Sequence, residues 1–151
     1  MGFSIQFLHE QASDTRIAAK TGLITVGRFE EKFESSTEFW SALEYERHWL
    51  DALTRLYNGA ERSCLITSIT DPRTANFIFW WPVYRVGDGA CFQNHVLFTS
   101  DIGGDFDPRV PYSCVPERCT TNEDGLPISE WCTPLFEIAE YLNSKSGNLS
   151  P

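Results

Sequence analysis

Asn76-Phe77-Ile78-Phe79-Trp80-Trp81-Pro82-Val83-Tyr84-Arg85-Val86-Gly87-Asp88-Gly89-Ala90-Cys91-Phe92-Gln93-Asn94-His95-Val96-Leu97-Phe98 is the stretch that decides the fold class. Residues 76–81 alternate as a strand does, with Phe77, Phe79 and Trp81 on one face and Ile78 and Trp80 on the other. Both faces are apolar, so this strand is expected to be covered on two sides. Pro82 has no backbone donor, and the strand is expected to end there, kink there or lie at an edge. Gly87-Asp88-Gly89 offers the positive φ angles of a tight turn. Residues 91–98 then return as a second strand, with Phe92, Asn94, Val96 and Phe98 alternating against Gln93, His95 and Leu97. Two strands joined this closely run antiparallel.

Toward the N-terminus, residues 63–70 read as another strand, closed by Asp71-Pro72. Ser41 and Glu44 have the spacing of a capping box, in which each side chain satisfies a backbone donor that the helix start leaves open. A helix is predicted from there to about Asn58, with Gly59 beyond its end. Steps of about 100° per residue gather Tyr45, Trp49, Ala52, Leu53 and Leu56 into one apolar arc, widened by Leu43, Leu50 and Tyr57. Residues 23–33 are rich in β-branched and aromatic side chains and read as one strand, with Gly27 marking a bulge or a close backbone approach. Phe3, Ile5 and Phe7 alternate as an opening strand; a Ser13-Asp14 turn and an extended stretch at residues 17–20 are expected to follow.

Toward the C-terminus, residues 99–124 hold Gly103-Gly104, Asp107-Pro108, Pro111 and Pro116 with no sustained period. A long irregular segment in a compact domain is often functional. After a turn at Asn122-Glu123-Asp124-Gly125, a last strand is expected over residues 128–132. Thr133 then suits a helix cap and Pro134 the first helical position. The fold class is therefore α+β: a mainly antiparallel sheet of about five to six strands packed against two helices, at about 41–58 and 134–143. One domain over residues 1–143 and a mobile polar tail over 144–151 complete the expected organisation.

The chain of 151 residues is 42% hydrophobic and 14% aromatic, a globular balance with an aromatic excess. No apolar run approaches the length of a membrane-spanning helix, and the N-terminus lacks the basic flank and cleavage site of a secretory signal, so a cytosolic location is expected. Five cysteines cannot all pair within one chain, and in a cytosol they are expected to remain reduced. The net charge of −9 is uneven. Residues 86–132 hold Asp88, Asp101, Asp105, Asp107, Glu117, Glu123, Asp124 and Glu130 against only Arg109 and Arg118. Nucleic-acid binders need the opposite sign, so direct nucleic-acid binding is not expected; the acidic face suits a basic protein partner, or serves solubility alone.

Motifs that carry chemistry are missing. Cys91 and His95 lie about 13 Å apart along one strand, too far for a nucleophile and its base. His48 reads as a boundary residue of the helix, and His9 has no evident partner. Cys114 and Cys119, with Cys132 or His95, make only one close pair where zinc sites usually show two. Asp101, Asp105 and Asp107 lack the alternation and closing glutamate of a calcium loop. Gly103-Gly104-Asp105 is no phosphate cradle, and there is no nucleophile elbow. No catalytic residue, metal or cofactor is expected.

Phe29-Glu30-Glu31-Lys32-Phe33, Phe39-Trp40, Tyr45 with Trp49, Leu65-Ile66-Thr67-Ser68 with Asp71-Pro72, and Ala75-Asn76-Phe77 leading into Trp80-Trp81-Pro82-Val83-Tyr84-Arg85 resemble the bacterial immunity proteins of contact-dependent growth inhibition systems. Phe106-Asp107-Pro108, Pro111-Tyr112 and Ile128-Ser129-Glu130-Trp131 extend the resemblance, which covers roughly residues 22–142. It implies a protein that binds the C-terminal toxin domain delivered by a neighbouring cell. Family toxins are frequently nucleases, which are basic, in keeping with the acidic segment. On that footing Asp101, Asp105, Asp107, Glu117, Glu123 and Asp124 are expected to meet the toxin's basic cleft, with Phe106 or Tyr112 as apolar anchors. The competing readings are a small cytosolic enzyme using loop carboxylates or cysteines, and a scaffold or regulatory domain with another partner.

Overall fold

The computed structural model describes residues 2–8 and 19–149. The expected Ser13-Asp14 turn, residues 17 and 18 of the second extended stretch, His9 and the last two residues lie outside the described residues. Among the described residues, eight strands and two α-helices follow in the order β1 (Phe3–Phe7), β2 (Ala19–Val26), β3 (Phe29–Ser36), α1 (Ala42–Tyr57), β4 (Arg62–Ser68), β5 (Phe77–Val86), β6 (Gly89–Gln93), β7 (His95–Phe98), β8 (Glu130–Pro134) and α2 (Leu135–Leu149). Every strand pairing is antiparallel, in a three-stranded sheet β1-β2-β3 and a five-stranded sheet β4-β5-β6-β8 to which β7 adds by pairing with β5. The α+β class with a mainly antiparallel sheet against two helices is thus as expected.

Several boundaries differ from the sequence reading. Residues 23–33 are a hairpin and not one strand: Gly27, at φ 64°, turns the chain so that Val26 faces Phe29. Only one of the two turn residues has positive φ, the pattern of a II′ turn with glycine first, and Gly87 at φ 58° repeats it between β5 and β6. Pro82 neither ends β5 nor lies at an edge; it sits inside a ten-residue strand with neighbours on both sides. Thr133 and Pro134 belong to β8, so α2 starts one residue later, and it continues past Asn143 through Leu149. Ser144 there donates to the Tyr141 carbonyl at 2.7 Å, a bond that a helical turn makes available to serine.

The helix α1 begins as its sequence dictates. Ser41 Oγ accepts from the Glu44 amide and Glu44 Oε1 from the Ser41 amide, both at 3.2 Å. Tyr45, Trp49, Ala52, Leu53 and Leu56 are the buried arc. Trp49 packs against Phe7, Phe33 and Tyr45, and its indole donates to the Ile66 carbonyl at 2.8 Å, so α1 is fixed both to the first sheet and to β4. Burying each such side chain contributes roughly 1.5–3 kcal/mol. The two sheets meet where Ser35 of β3 donates to the Thr67 carbonyl and the Ser36 amide donates to Ser68 Oγ at 3.1 Å. They meet again where Phe29 stacks on Trp131 of β8, centroids 3.9 Å apart.

Cys91 and Cys132 form a disulfide, which corrects the expectation of five reduced thiols. Their strands β6 and β8 pair in a register that puts the two cysteines directly opposite, with Cα atoms 4.1 Å apart. A separation of 41 residues hid this neighbourhood from the sequence. Cys64, Cys114 and Cys119 remain free.

Candidate functional site: an acidic cavity under the irregular segment

Alternation along β5 turns Ile78, Trp80, Pro82 and Tyr84 to one face of the large sheet, and on the returning strands Leu97 opposite Ile78, His95 opposite Trp80 and, by the same register, Gln93 opposite Pro82 share that face. The segment from residue 99 to 119 crosses over this face and borders a half-open cavity of about 590 Å³. Its walls are mostly apolar, with Trp80, Leu97, Ile102 and Ile128; Asp101 and Glu117 border it.

Three neighbouring strands hold the segment in place. Arg62 of β4 donates to the Val115 carbonyl at 2.9 Å, Tyr84 of β5 to that of Pro116 at 3.0 Å, and Gln93 of β6 to that of Cys119 at 3.0 Å. Phe106, Pro111 and Val115 are buried beneath it. A stretch without periodic pattern is therefore pinned at both backbone and side chain, which orders Glu117 without using its carboxylate.

A polar chain runs beside the cavity. Arg118 grips Glu130 through two bonds, at 2.6 and 2.9 Å, and the Gln93 amide donates to Glu130 Oε2 at 2.9 Å while its carbonyl oxygen pairs with His95 Nε2 at 2.8 Å. With the Gln93 nitrogen already donating, that contact is read as His95 Nε2–H donating to Gln93. Arg118 hydrogen bonding holds the Glu130 carboxyl below the usual carboxylate range, and burial lowers the His95 pKa, so the imidazole is neutral near pH 7. It therefore does not offset the negative charge of the rim.

The expected contact residues separate into groups. Asp101 and Glu117 come to the same cavity, exposed and without a cationic partner among the described residues. Asp105 is exposed on the same segment. Asp107 is instead engaged by Arg109, which donates to it from Nη2 at 3.1 Å and holds its carboxyl below the usual range. Glu123 and Asp124 stand exposed on a turn closed by Asn122, whose side-chain oxygen accepts from the Asp124 and Leu126 amides. The two expected apolar anchors differ in exposure. Phe106 is 7% exposed and part of the core, because the irregular segment needs its own apolar residues to stay attached. Tyr112 lies half-buried under the Arg55 guanidinium, 3.6 Å from its ring centroid.

Cys91 is bonded to Cys132, and Cys114 and Cys119 line the cavity without joining a ligand set. Among the described residues the one group of side chains close enough to share an ion is Cys91, Glu130 and Cys132, in which two members are bonded to one another and the third is held by Arg118.

Fold and site together define a small α+β binding domain that offers an acidic, rigidly mounted surface. The model of the CdiI N-terminal domain family matches residues 35–141, and the chain belongs to that family. It is 30% identical over 121 residues to the immunity protein CdiI of Enterobacter cloacae subsp. cloacae, a match covering 80% of this chain and 83% of the relative. It also superposes on a chain of the solved CdiA-CT/CdiI toxin and immunity complex from Enterobacter cloacae, with a TM-score of 0.85 at 28% identity, covering 96% of this chain and 99% of that one.

Proposed function

We propose that this chain is the immunity member of a contact-dependent growth inhibition pair, and that in the cytosol it binds its cognate CdiA-CT toxin domain and neutralises it. Inhibition is by blockade, steric and electrostatic, with no chemical step. The observation that carries the electrostatic part is the pairing of Asp101 and Glu117 at one cavity rim, both carboxylates unengaged among the described residues. A basic cleft, such as that of a nuclease, supplies the complementary charge, and attraction of this kind raises the association rate above all. The neutral His95 and the engaged Glu130 support binding over catalysis.

The test is co-expression with the cognate CdiA-CT toxin domain, scored by survival and by co-purification. Cells should survive only when the chain is present, and the two proteins should copurify. A toxin that stays lethal beside well-expressed, folded chain would sink the reading.

A further inference from the structure

We propose that the face of the β5–β7 ribbon bearing Phe77, Phe79, Val96 and Phe98 is the apolar anchor on which the basic toxin domain seats, an inference that rests on the immunity reading above. The register places Phe77 opposite Phe98 and Phe79 opposite Val96, so alternation brings all four side chains to one face. They are 46, 43, 41 and 51% exposed in chain order, and the Phe77 and Phe79 rings meet edge to face at 5.2 Å. One step along the same face, Trp81 is buried against Phe29 and Trp131. The first sheet thus covers this face as far as Trp81, and the ribbon carries on uncovered. Pairing with β4 also stops at Phe79. Contiguous apolar surface of this sort marks an interaction site, whereas scattered single exposed residues do not.

Charge selects the occupant. Glu31 reaches Asn94, one residue before β7, at 2.9 Å, and Asp101 closes the 3-10 turn that follows Phe98. The patch therefore has a carboxylate near each end of β7. A second copy of this chain would bring the same rim and the same charge of −9 against itself. A basic domain meets attraction instead. The strand β7 also joins the patch to the acidic cavity: His95, Val96 and Leu97 line the cavity, and Val96 and Phe98 extend the apolar face. A partner that straddles β7 touches both. Buried apolar anchors set the dissociation rate, and rim charges set the association rate.

The experiment measures binding of the cognate CdiA-CT domain to wild type, to Phe79→Thr/Phe98→Thr and to Asp101→Lys at two salt concentrations. Thermal melts first establish that the variants are folded; both aromatic positions are exposed, and threonine suits a strand. The double variant should bind at least tenfold more weakly, through faster dissociation, with an unchanged salt dependence. Asp101→Lys should instead slow association. Affinity of the double variant within threefold of wild type would overturn the anchor while leaving the immunity reading intact. So would sedimentation showing a wild-type dimer that the double variant abolishes, since the face would then belong to a second copy. Wild type that fails to bind the toxin domain at all removes both readings before any variant is compared.

Discussion

Pro82 lies across from Gln93 between β5 and the returning strand, at a rung that calls for a donor proline lacks. Val86 and Gly89 close a two-residue turn as a hydrogen-bonded pair, and counting back in twos reaches Pro82 and Gln93. The register is the same on either side of the gap, Val83 with Phe92 and Trp80 with His95, so β6 and β7 are one strand interrupted at Asn94. The interruption falls beside the cavity, where the buried Gln93 side chain ties Cys119, Glu130 and His95 together.

Gln93→Leu should therefore cost about 1–3 kcal/mol, because it leaves polar partners unmatched at a buried position. Urea denaturation at pH 7 measures that loss. Amide hydrogen exchange should also quicken over residues 115–119, where the Cys119 carbonyl loses its anchor. Unchanged exchange there would mean that Arg62 and Tyr84 alone hold the segment.

Charge reversal at the cavity rim, Asp101→Lys with Glu117→Lys, should slow association with the toxin domain by tenfold or more at low ionic strength. The effect should shrink in 0.5 M salt, where screening shortens the reach of surface charge. Reversal at Asp107 should do less, because its carboxylate already serves Arg109. Stopped-flow association rates across a salt series check both statements; equal losses at Asp101, Glu117 and Asp107 would contradict the assignment of the rim.

Local chemistry made part of this legible in the sequence. Ser41 with Glu44 named the start of α1, its apolar spacing named the buried arc, and Gly87 named the hairpin turn. Gly27 was read as a bulge because a II′ turn needs only one glycine, and Arg28 beside it gives no turn signal. The pairing of Cys91 with Cys132 depends on strand order, which no local pattern carries. For the site, the acidic character of residues 99–124 was plain, but which carboxylates stay unengaged was not: Arg109 lies two residues from Asp107 and closes back on it. The burial of Phe106 is not legible in the sequence, because an irregular segment shows no period that separates its buried side from its exposed side.

The disulfide closes a loop of 41 residues that includes the whole irregular segment. Restricting the unfolded chain over that length is worth about 2–4 kcal/mol. Cys132→Ser should lower the thermal midpoint under oxidising conditions and have little effect in excess reductant, where wild type loses the same cross-link. Calorimetry of both proteins with and without dithiothreitol separates the two cases. A variant that melts well below reduced wild type would show that the serine disturbs packing instead.

Acid should destabilise the domain through His48. Its Nε2 accepts from the Ile66 amide at 2.8 Å, so the ring must be unprotonated there, and burial lowers its pKa from 6.5 to about 3. Trp40 lies 5.1 Å from the ring, and the far side opens on a second cavity of about 340 Å³ lined by Glu44, Arg47 and Asp51. Between these two pKa values the unfolded chain binds a proton that the folded chain refuses, so stability is full above pH 6.5 and falls as the pH drops below it. One such proton is worth about 1.4 kcal/mol per pH unit, and with part of the ring facing a cavity the loss from pH 6.5 to 4.5 should be about 2 kcal/mol. Glu130, held below its ordinary 4.5 mainly by Arg118, adds to the decline only at more acid pH. In His48→Gln the side-chain oxygen can still accept from Ile66, and no proton is taken up. Urea midpoints measured from pH 7 to 4.5 should therefore fall steeply for wild type and stay nearly level for His48→Gln, whereas parallel curves would place the acid sensitivity elsewhere in the molecule.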